Sequence, residues 1–141
     1  AEPRPYLAQI DAAGFLASQH LHEEVFGPAA IVVRVSGTSQ IVEVLDAVGG
    51  SLTVTVWGAE APSEDNAALV RAAVRIAGRV LFAGFPTGVA VTAGQHHGGP
   101  FPASTAPFTT SVGYAALGRF LRPVALQDAP QWLLDRKGVP A

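Results

Sequence analysis

Three short runs of β-branched and apolar residues alternate with two helix-like segments between residues 30 and 84, and this alternation most constrains the fold. The runs are AIVVRV at 30–35, SLTVTVW at 51–57 and RVLFAG at 79–84. Near-continuous apolarity in the first and third predicts strands covered on both faces, whereas the second alternates with a period of two. Single helices between strands favour parallel crossovers. The sequence therefore predicts an α/β fold with an open, mostly parallel sheet and helices on both faces.

Both helix-like segments have start and stop signals at their ends. In the first, Thr38 is a candidate N-cap and Gly49-Gly50 a stop. In the second, Ser63 precedes two acidic residues that suit a helix N-terminus, and the segment is expected to end at Gly78. An apolar stripe at helical spacing marks the first segment: Ile41, Val44, Leu45 and Val48.

Regular periodicity ends at residue 85. The segment 85–110 consists largely of Gly, Pro, Thr and Ala, and loops of this length are usually functional or disordered. Residues 112–121 then suggest a third helix, and RPVALQ at 122–127 suggests a final strand. The tail at 131–141, QWLLDRKGVPA, gives a weaker signal.

Composition limits the classes of partner. Charged residues make up only 14% of the 141-residue chain, too few to cover the surface of a monomer. We therefore expect much of the surface to be in contact with other protein surfaces. The net charge is −2 and no Lys/Arg cluster occurs, which argues against nucleic acid and anionic membranes as partners. No apolar run approaches a membrane span and no signal sequence opens the chain, so a cytoplasmic location is expected.

The chain contains no cysteine, which excludes thiol nucleophiles and zinc–thiolate sites within these residues. Two further motifs give weaker hypotheses. HHGG at 96–99 is reminiscent of the oxyanion loop of lipases, but no G-x-S-x-G elbow accompanies it. Four histidines could approach one another in a metal site if the first two lay on an extended strand, although no Cys or Asp stands at ligand spacing, and we expect no metal. These are His20, His22, His96 and His97.

The segment HLHEEVFGP at 20–28 sets two glutamates beside a phenylalanine and a Gly-Pro turn. Glu23 and Glu24 could simply form a solvated acidic corner. In an extended segment, however, the side chains of Glu24 and Phe26 point the same way. A carboxylate can accept two hydrogen bonds from a vicinal diol such as a ribose, while the ring offers a flat apolar wall. One ligand could therefore contact both.

These residues resemble a known family. EEVFGP resembles the E-E-[IV]-F-G-P signature of the aldehyde dehydrogenase superfamily. GRVLFAGFPTGVAV, followed by HHGGPFPAST, resembles the NADP-preferring branch that includes α-ketoglutarate semialdehyde dehydrogenases. TTSVGYAALGRFLRPVALQ resembles the closing helix and strand of that branch. The match runs in order from Tyr6 to Gln127.

The resemblance implies roles for four residues. Glu24 falls where the family holds the nicotinamide ribose hydroxyls, and Phe26 where an aromatic ring supports the nicotinamide end. Phe101 matches a position beside the aldehyde tunnel, and Phe85 one that shapes the same pocket, with ordinary packing as the alternative for both phenylalanines. Two departures from the family pattern occur. Ala83 stands where many relatives have asparagine, and PFPA replaces the usual P-F-G-G, so pocket details do not transfer directly.

The resemblance also implies that the residues for catalysis lie outside this chain. Family chemistry uses a cysteine thiolate, hydride transfer to NAD(P)⁺ and hydrolysis of a thioester, and the residues for it lie upstream of EEVFGP. We therefore expect residues 1–121 to be the C-terminal portion of the catalytic domain and 122–141 to be a closing, oligomerisation strand with its tail. Such a segment would be inactive alone, with NADP or NAD bound mainly by the absent N-terminal half.

The expected partners are that N-terminal remainder, further copies of the enzyme in a homo-oligomer, and a small aldehyde such as a semialdehyde. The alternative is a non-catalytic binding or assembly module that retains the half-fold.

Overall fold

The computed structural model describes residues 4–134, in which strands and helices alternate along the first two thirds of the chain. The strands are β1 (Tyr6–Asp11), β2 (Ala29–Arg34), β3 (Ser51–Val56) and β4 (Ala77–Phe82). The α-helices are α1 (Ala12–Ala17), α2 (Thr38–Val48), α3 (Glu64–Ile76) and α4 (Gln131–Leu134). Two 3₁₀ helices lie at Gln19–Leu21 and Tyr114–Phe120.

The strands form two parallel pairs. β1 pairs with β2 from Tyr6↔Ala29 to Asp11↔Arg34, and β3 pairs with β4 from Ser51↔Ala77 to Val56↔Phe82. The chain passes through α1 between the first two strands and through α3 between the last two, while α2 joins the pairs and contacts α1 and α3. Parallel neighbours need such crossovers because a hairpin cannot connect them. The predicted α/β class with parallel strands is confirmed.

The grouping of the strands differs from the single sheet that the sequence predicted. Within residues 4–134, β2 and β3 belong to separate two-stranded sheets. The partner of β2 is β1, whose sequence YLAQID mixes apolar and polar residues without a clean alternation and was missed. The expected burial of β2 is also not found in this chain, since Ile31 and Val32 are exposed.

The ends of α2 and α3 follow from local chemistry. The Ser63 hydroxyl accepts a hydrogen bond from the Asn66 N–H (3.0 Å), which confirms the predicted cap of α3. This helix ends at Ile76 rather than at Gly78, because Ala77 is already extended and begins β4. The N-cap of α2 is Gly37, and Thr38, predicted as the cap, is the first helical residue.

The core is small. Its most enclosed side chains come from α1, the end of β3, the inner side of α3 and the first residue of β4: Ala12, Phe15, Val56, Ala72, Ala73, Ile76 and Ala77. Large apolar side chains on β1 and β2, and aromatic rings throughout the loops, are exposed instead. β1 and β2 are paired, so their exposed apolar side chains lie on neighbouring strands, and exposed apolar surface marks contact sites for other protein surfaces.

The C-terminal predictions need correction. The segment predicted as a third helix contains a 3₁₀ helix at Tyr114–Phe120, and residues 122–127, predicted as a strand, have no regular secondary structure. A strand needs a partner for its N–H and C=O groups, and residues 4–134 provide none there. The end of the tail, 135–141, lies outside the described residues. No helix within 4–134 has the length and hydropathy to cross a membrane.

Candidate functional site

The predicted cofactor residues lie on an exposed segment between the first 3₁₀ helix and β2. We define residues 23–26, EEVF, as the clamp segment; all four residues are exposed, and Phe26 is 94% exposed. Within residues 4–134, the carboxylates of Glu23 and Glu24 make no hydrogen bond or ion pair. The clamp segment thus presents an unpartnered carboxylate and a bare ring two residues apart.

On its N-terminal side, the clamp segment is anchored by His22. The ring Nε2 of His22 donates a hydrogen bond to the Phe15 carbonyl at 2.9 Å, since a carbonyl can only accept. The two rings also contact each other, with their centroids 4.7 Å apart. Phe15 is 3% exposed on α1, so His22 is attached to the most enclosed part of this end of the molecule.

On its C-terminal side, the clamp segment is anchored by the backbone. The Tyr6 N–H donates to the Pro28 carbonyl at 2.8 Å, just before the register of β1 with β2 begins. The Ala29 N–H donates to the Gly27 carbonyl at 2.8 Å and closes the turn. The four exposed residues therefore bridge two fixed points, one on α1 and one on the first strand pair.

Phe101 lies on a loop that crosses the amino ends of β3 and β4. A Cβ atom on Gly50 would collide with the carbonyl of Phe101, and one on Gly99 would collide with the carbonyl of Ser51. Only residues without a side chain allow the two backbones this close an approach. Phe101 itself is 78% exposed. The strand ends therefore fix the backbone at Phe101 while the ring remains available for contact.

Phe85 follows β4 at the opposite, carboxyl end of the strand pair, and the residue is 83% exposed. The guanidinium of Arg79 holds the loop beyond it, because Nη1 donates to the Gly88 carbonyl at 2.6 Å and Nη2 to the Pro86 carbonyl at 2.9 Å. The fold thus attaches Phe85 and Phe101 at opposite ends of the β3–β4 pair. Their shared role as pocket walls stays a prediction.

The turn between β4 and Phe85 contains a strained residue. Ala83 has φ +65°, a left-handed conformation that asparagine adopts more readily than alanine. Its N–H donates to the Val56 carbonyl at 2.9 Å, which continues the β3–β4 pairing by one bond. The departure noted in the sequence, alanine where many relatives have asparagine, therefore falls at a position whose backbone favours asparagine.

The two weaker motif hypotheses gain no support. Gly98 and Gly99 of HHGG are buried, and a Cβ on Gly78 would collide with the Gly98 carbonyl, so this backbone faces strand ends rather than an open oxyanion site. His20 lies in a 3₁₀ helix instead of the strand that the metal hypothesis required. Among residues 4–134, no group of three or more His, Asp or Glu side chains is placed to hold a metal ion.

Sequence reasoning missed His22 and Arg79 as supports of the candidate site. His22 was considered only as a metal ligand, and Arg79 only as part of a strand. Both side chains bind backbone carbonyls, and every residue has such a carbonyl, so the residue types in the sequence do not indicate either contact. The HLH pattern beside EEVFGP places a histidine near the clamp segment, but it does not indicate what that histidine binds.

Two curated relatives resemble the chain closely. It is 44% identical over 132 residues to alpha-ketoglutaric semialdehyde dehydrogenase 2 of Azospirillum brasilense, covering 91% of this chain and 24% of the relative. It is 42% identical over 135 residues to alpha-ketoglutaric semialdehyde dehydrogenase of Acinetobacter baylyi, covering 95% of this chain and 26% of the relative. The chain spans about a quarter of the length of these relatives and corresponds to their C-terminal part. No protein-family model matches it.

Proposed function

We propose, from the premise that this chain belongs to the aldehyde dehydrogenase family, that it forms the C-terminal part of an NAD(P)-dependent enzyme that oxidises an aldehyde to a carboxylic acid. The names of both relatives favour α-ketoglutarate semialdehyde as the substrate. The observation that carries the proposal is the clamp segment, whose Glu24 carboxylate and Phe26 ring are exposed and unpartnered within residues 4–134.

The clamp segment fits the nicotinamide end of a dinucleotide. The Glu24 carboxylate would accept hydrogen bonds from the two ribose hydroxyls, and such charge-assisted hydrogen bonds are stronger than neutral ones. The Phe26 ring would supply an apolar surface for the flat nicotinamide. When bound, the nicotinamide would accept the hydride that leaves the substrate. The two side chains orient this ring, and the rest of the dinucleotide is held by the N-terminal remainder.

Phe101 and Phe85 are proposed as walls of the aldehyde pocket. Both rings are exposed here, and a pocket is lined mainly by apolar and aromatic side chains. The two phenylalanines are attached at opposite ends of the β3–β4 pair. They would therefore contact different parts of the substrate, or residues of the N-terminal remainder would complete the pocket wall between them. The pocket therefore depends on both halves.

The partners follow from chemistry and surface. The chain has no cysteine, so the nucleophile must come from the N-terminal remainder, and the isolated 141 residues would not turn over aldehyde. The exposed apolar side chains of β1 and β2 would be covered by that remainder and by other subunits of a homo-oligomer. The cytoplasmic location expected from the sequence stays a prediction.

The test compares the complete enzyme with the isolated chain. NAD⁺ and NADP⁺ reduction is measured with α-ketoglutarate semialdehyde and a short unsubstituted aldehyde. We expect turnover by the complete enzyme and none by the isolated chain. A complete gene product that neither binds a dinucleotide nor oxidises aldehydes would favour the alternative, a non-catalytic binding or assembly module.

A further inference from the structure

His22 makes two contacts that the proposed reaction does not use. Its Nε2 donates to the Phe15 carbonyl at 2.9 Å, and its ring lies 4.7 Å, centroid to centroid, from the Phe15 ring. The Phe15 carbonyl is at the end of α1, where the Ser18 N–H also donates to it at 3.0 Å. His22 therefore joins the end of a helix to the segment that follows it.

The contact lies two residues before Glu24. Two residues of extended chain span at most about 7 Å, so a shift of His22 is transmitted to the Glu24 backbone with little slack. Within residues 4–134, no side chain of the clamp segment itself makes a hydrogen bond. The anchors at His22 and at Pro28 are thus what hold the clamp segment in place.

We propose that His22 is a positioning residue that sets the place of Glu24 and Phe26 for cofactor binding, an inference that rests on the proposed function of the clamp segment. Its imidazole acts in two ways. The hydrogen bond fixes the distance to α1, and the packing on Phe15 fixes the direction in which the chain leaves the 3₁₀ helix at Gln19–Leu21.

Two variants separate these contributions in the complete enzyme. His22→Phe keeps an aromatic ring and loses the donor, while His22→Gln keeps an N–H donor of similar reach and loses the ring. His20→Phe is the matched control, because His20 is exposed and its side chain makes no hydrogen bond within residues 4–134. Melting temperature is recorded for each variant to identify any that does not fold.

We expect His22→Phe to raise the KM for NAD(P)⁺ about threefold to tenfold, because this is the usual effect of losing one hydrogen bond. The aldehyde KM should change less than about twofold. His22→Gln should recover most of the cofactor affinity. Without cofactor, a glutamate-specific protease should cleave after Glu23 and Glu24 faster in His22→Phe than in His20→Phe, because the clamp segment is less restrained.

Equal cofactor KM and equal cleavage rates in His22→Phe and His20→Phe would overturn the inference. If His22→Phe does not fold, the cleavage rates of His22→Gln and His20→Phe decide, since loss of the ring contact alone should speed cleavage, and equal rates would overturn the inference. Glu24→Ala distinguishes failure of the positioning role of His22 from failure of the proposed function of the clamp segment. If Glu24→Ala weakens cofactor binding while both His22 variants do not, only the positioning role fails; if Glu24→Ala has no effect, the proposed function of the clamp segment fails.

Discussion

Gly78 lies directly against the carbonyl of Gly98, so close that a Cβ atom on Gly78 would overlap it. Gly78 is the second residue of β4, and Gly98 belongs to the loop that carries Phe101. The contact joins two backbones, and neither is the flexible end of a side chain that could move away. The position of the loop that carries Phe101 therefore depends on the lack of a side chain in the strand beneath it.

Gly78→Ala should displace this loop. We expect a loss of about 1–3 kcal/mol of stability, the usual cost of overpacking, together with a higher aldehyde KM because Phe101 shifts. Thermal melting and steady-state kinetics of the complete enzyme measure the two effects. Gly94→Ala is the control, since a Cβ there meets nothing within 4 Å. Equal behaviour of the two variants would show that the loop does not rest on Gly78.

Arg79→Lys should loosen the loop after Phe85. Lysine keeps the charge but cannot donate to two carbonyls from one planar group, as Arg79 does to Pro86 and Gly88. We expect the aldehyde KM to rise several-fold and the cofactor KM to stay within about twofold, a split that steady-state kinetics can resolve.

The matched control for Arg79 is Arg71→Lys, because Arg71 is exposed on α3 and its side chain makes no hydrogen bond within residues 4–134. An unchanged aldehyde KM in Arg79→Lys would argue against a pocket role for Phe85.

Ala83→Asn and Ala83→Gly should both stabilise the enzyme. The left-handed conformation at φ +65° costs alanine roughly 1 kcal/mol, and asparagine and glycine tolerate it better. A rise in melting temperature is the expected result. Ala90→Gly is the control, since Ala90 has an ordinary φ and glycine should not stabilise it. A fall in melting temperature for both Ala83 variants would contradict the strain argument.

The elements that could be predicted from sequence are those whose pattern is local. An apolar pattern marks each of α2, α3, β2, β3 and β4. α3 also has an N-cap at Ser63, whose hydrogen bond is made within the helix's own first turn. β1 was missed because YLAQID mixes apolar and polar residues without a clean alternation, and α1 because six residues are too few for a helical period to stand out. Strand pairing is non-local, which is why β2 was assigned to the wrong sheet.

The candidate site divides in the same way. Glu24 and Phe26 were identified by their spacing and by the family signature, and the structure leaves both exposed. His22 and Arg79 act on carbonyls brought near by folding, at seven residues' separation for His22 and seven and nine for Arg79. Such side chain–backbone contacts have no sequence signature, because every residue offers the same acceptor.

The most direct test of the clamp segment is the dissociation constant of NAD(P)⁺ for Glu24→Ala beside Glu23→Ala in the complete enzyme, measured without aldehyde. Loss of charge-assisted hydrogen bonds to a ribose predicts binding about tenfold to a hundredfold weaker for Glu24→Ala, and within twofold of the parent for Glu23→Ala. Equal dissociation constants for the two variants would contradict the account, because the carboxylate at position 24 would then hold no part of the cofactor.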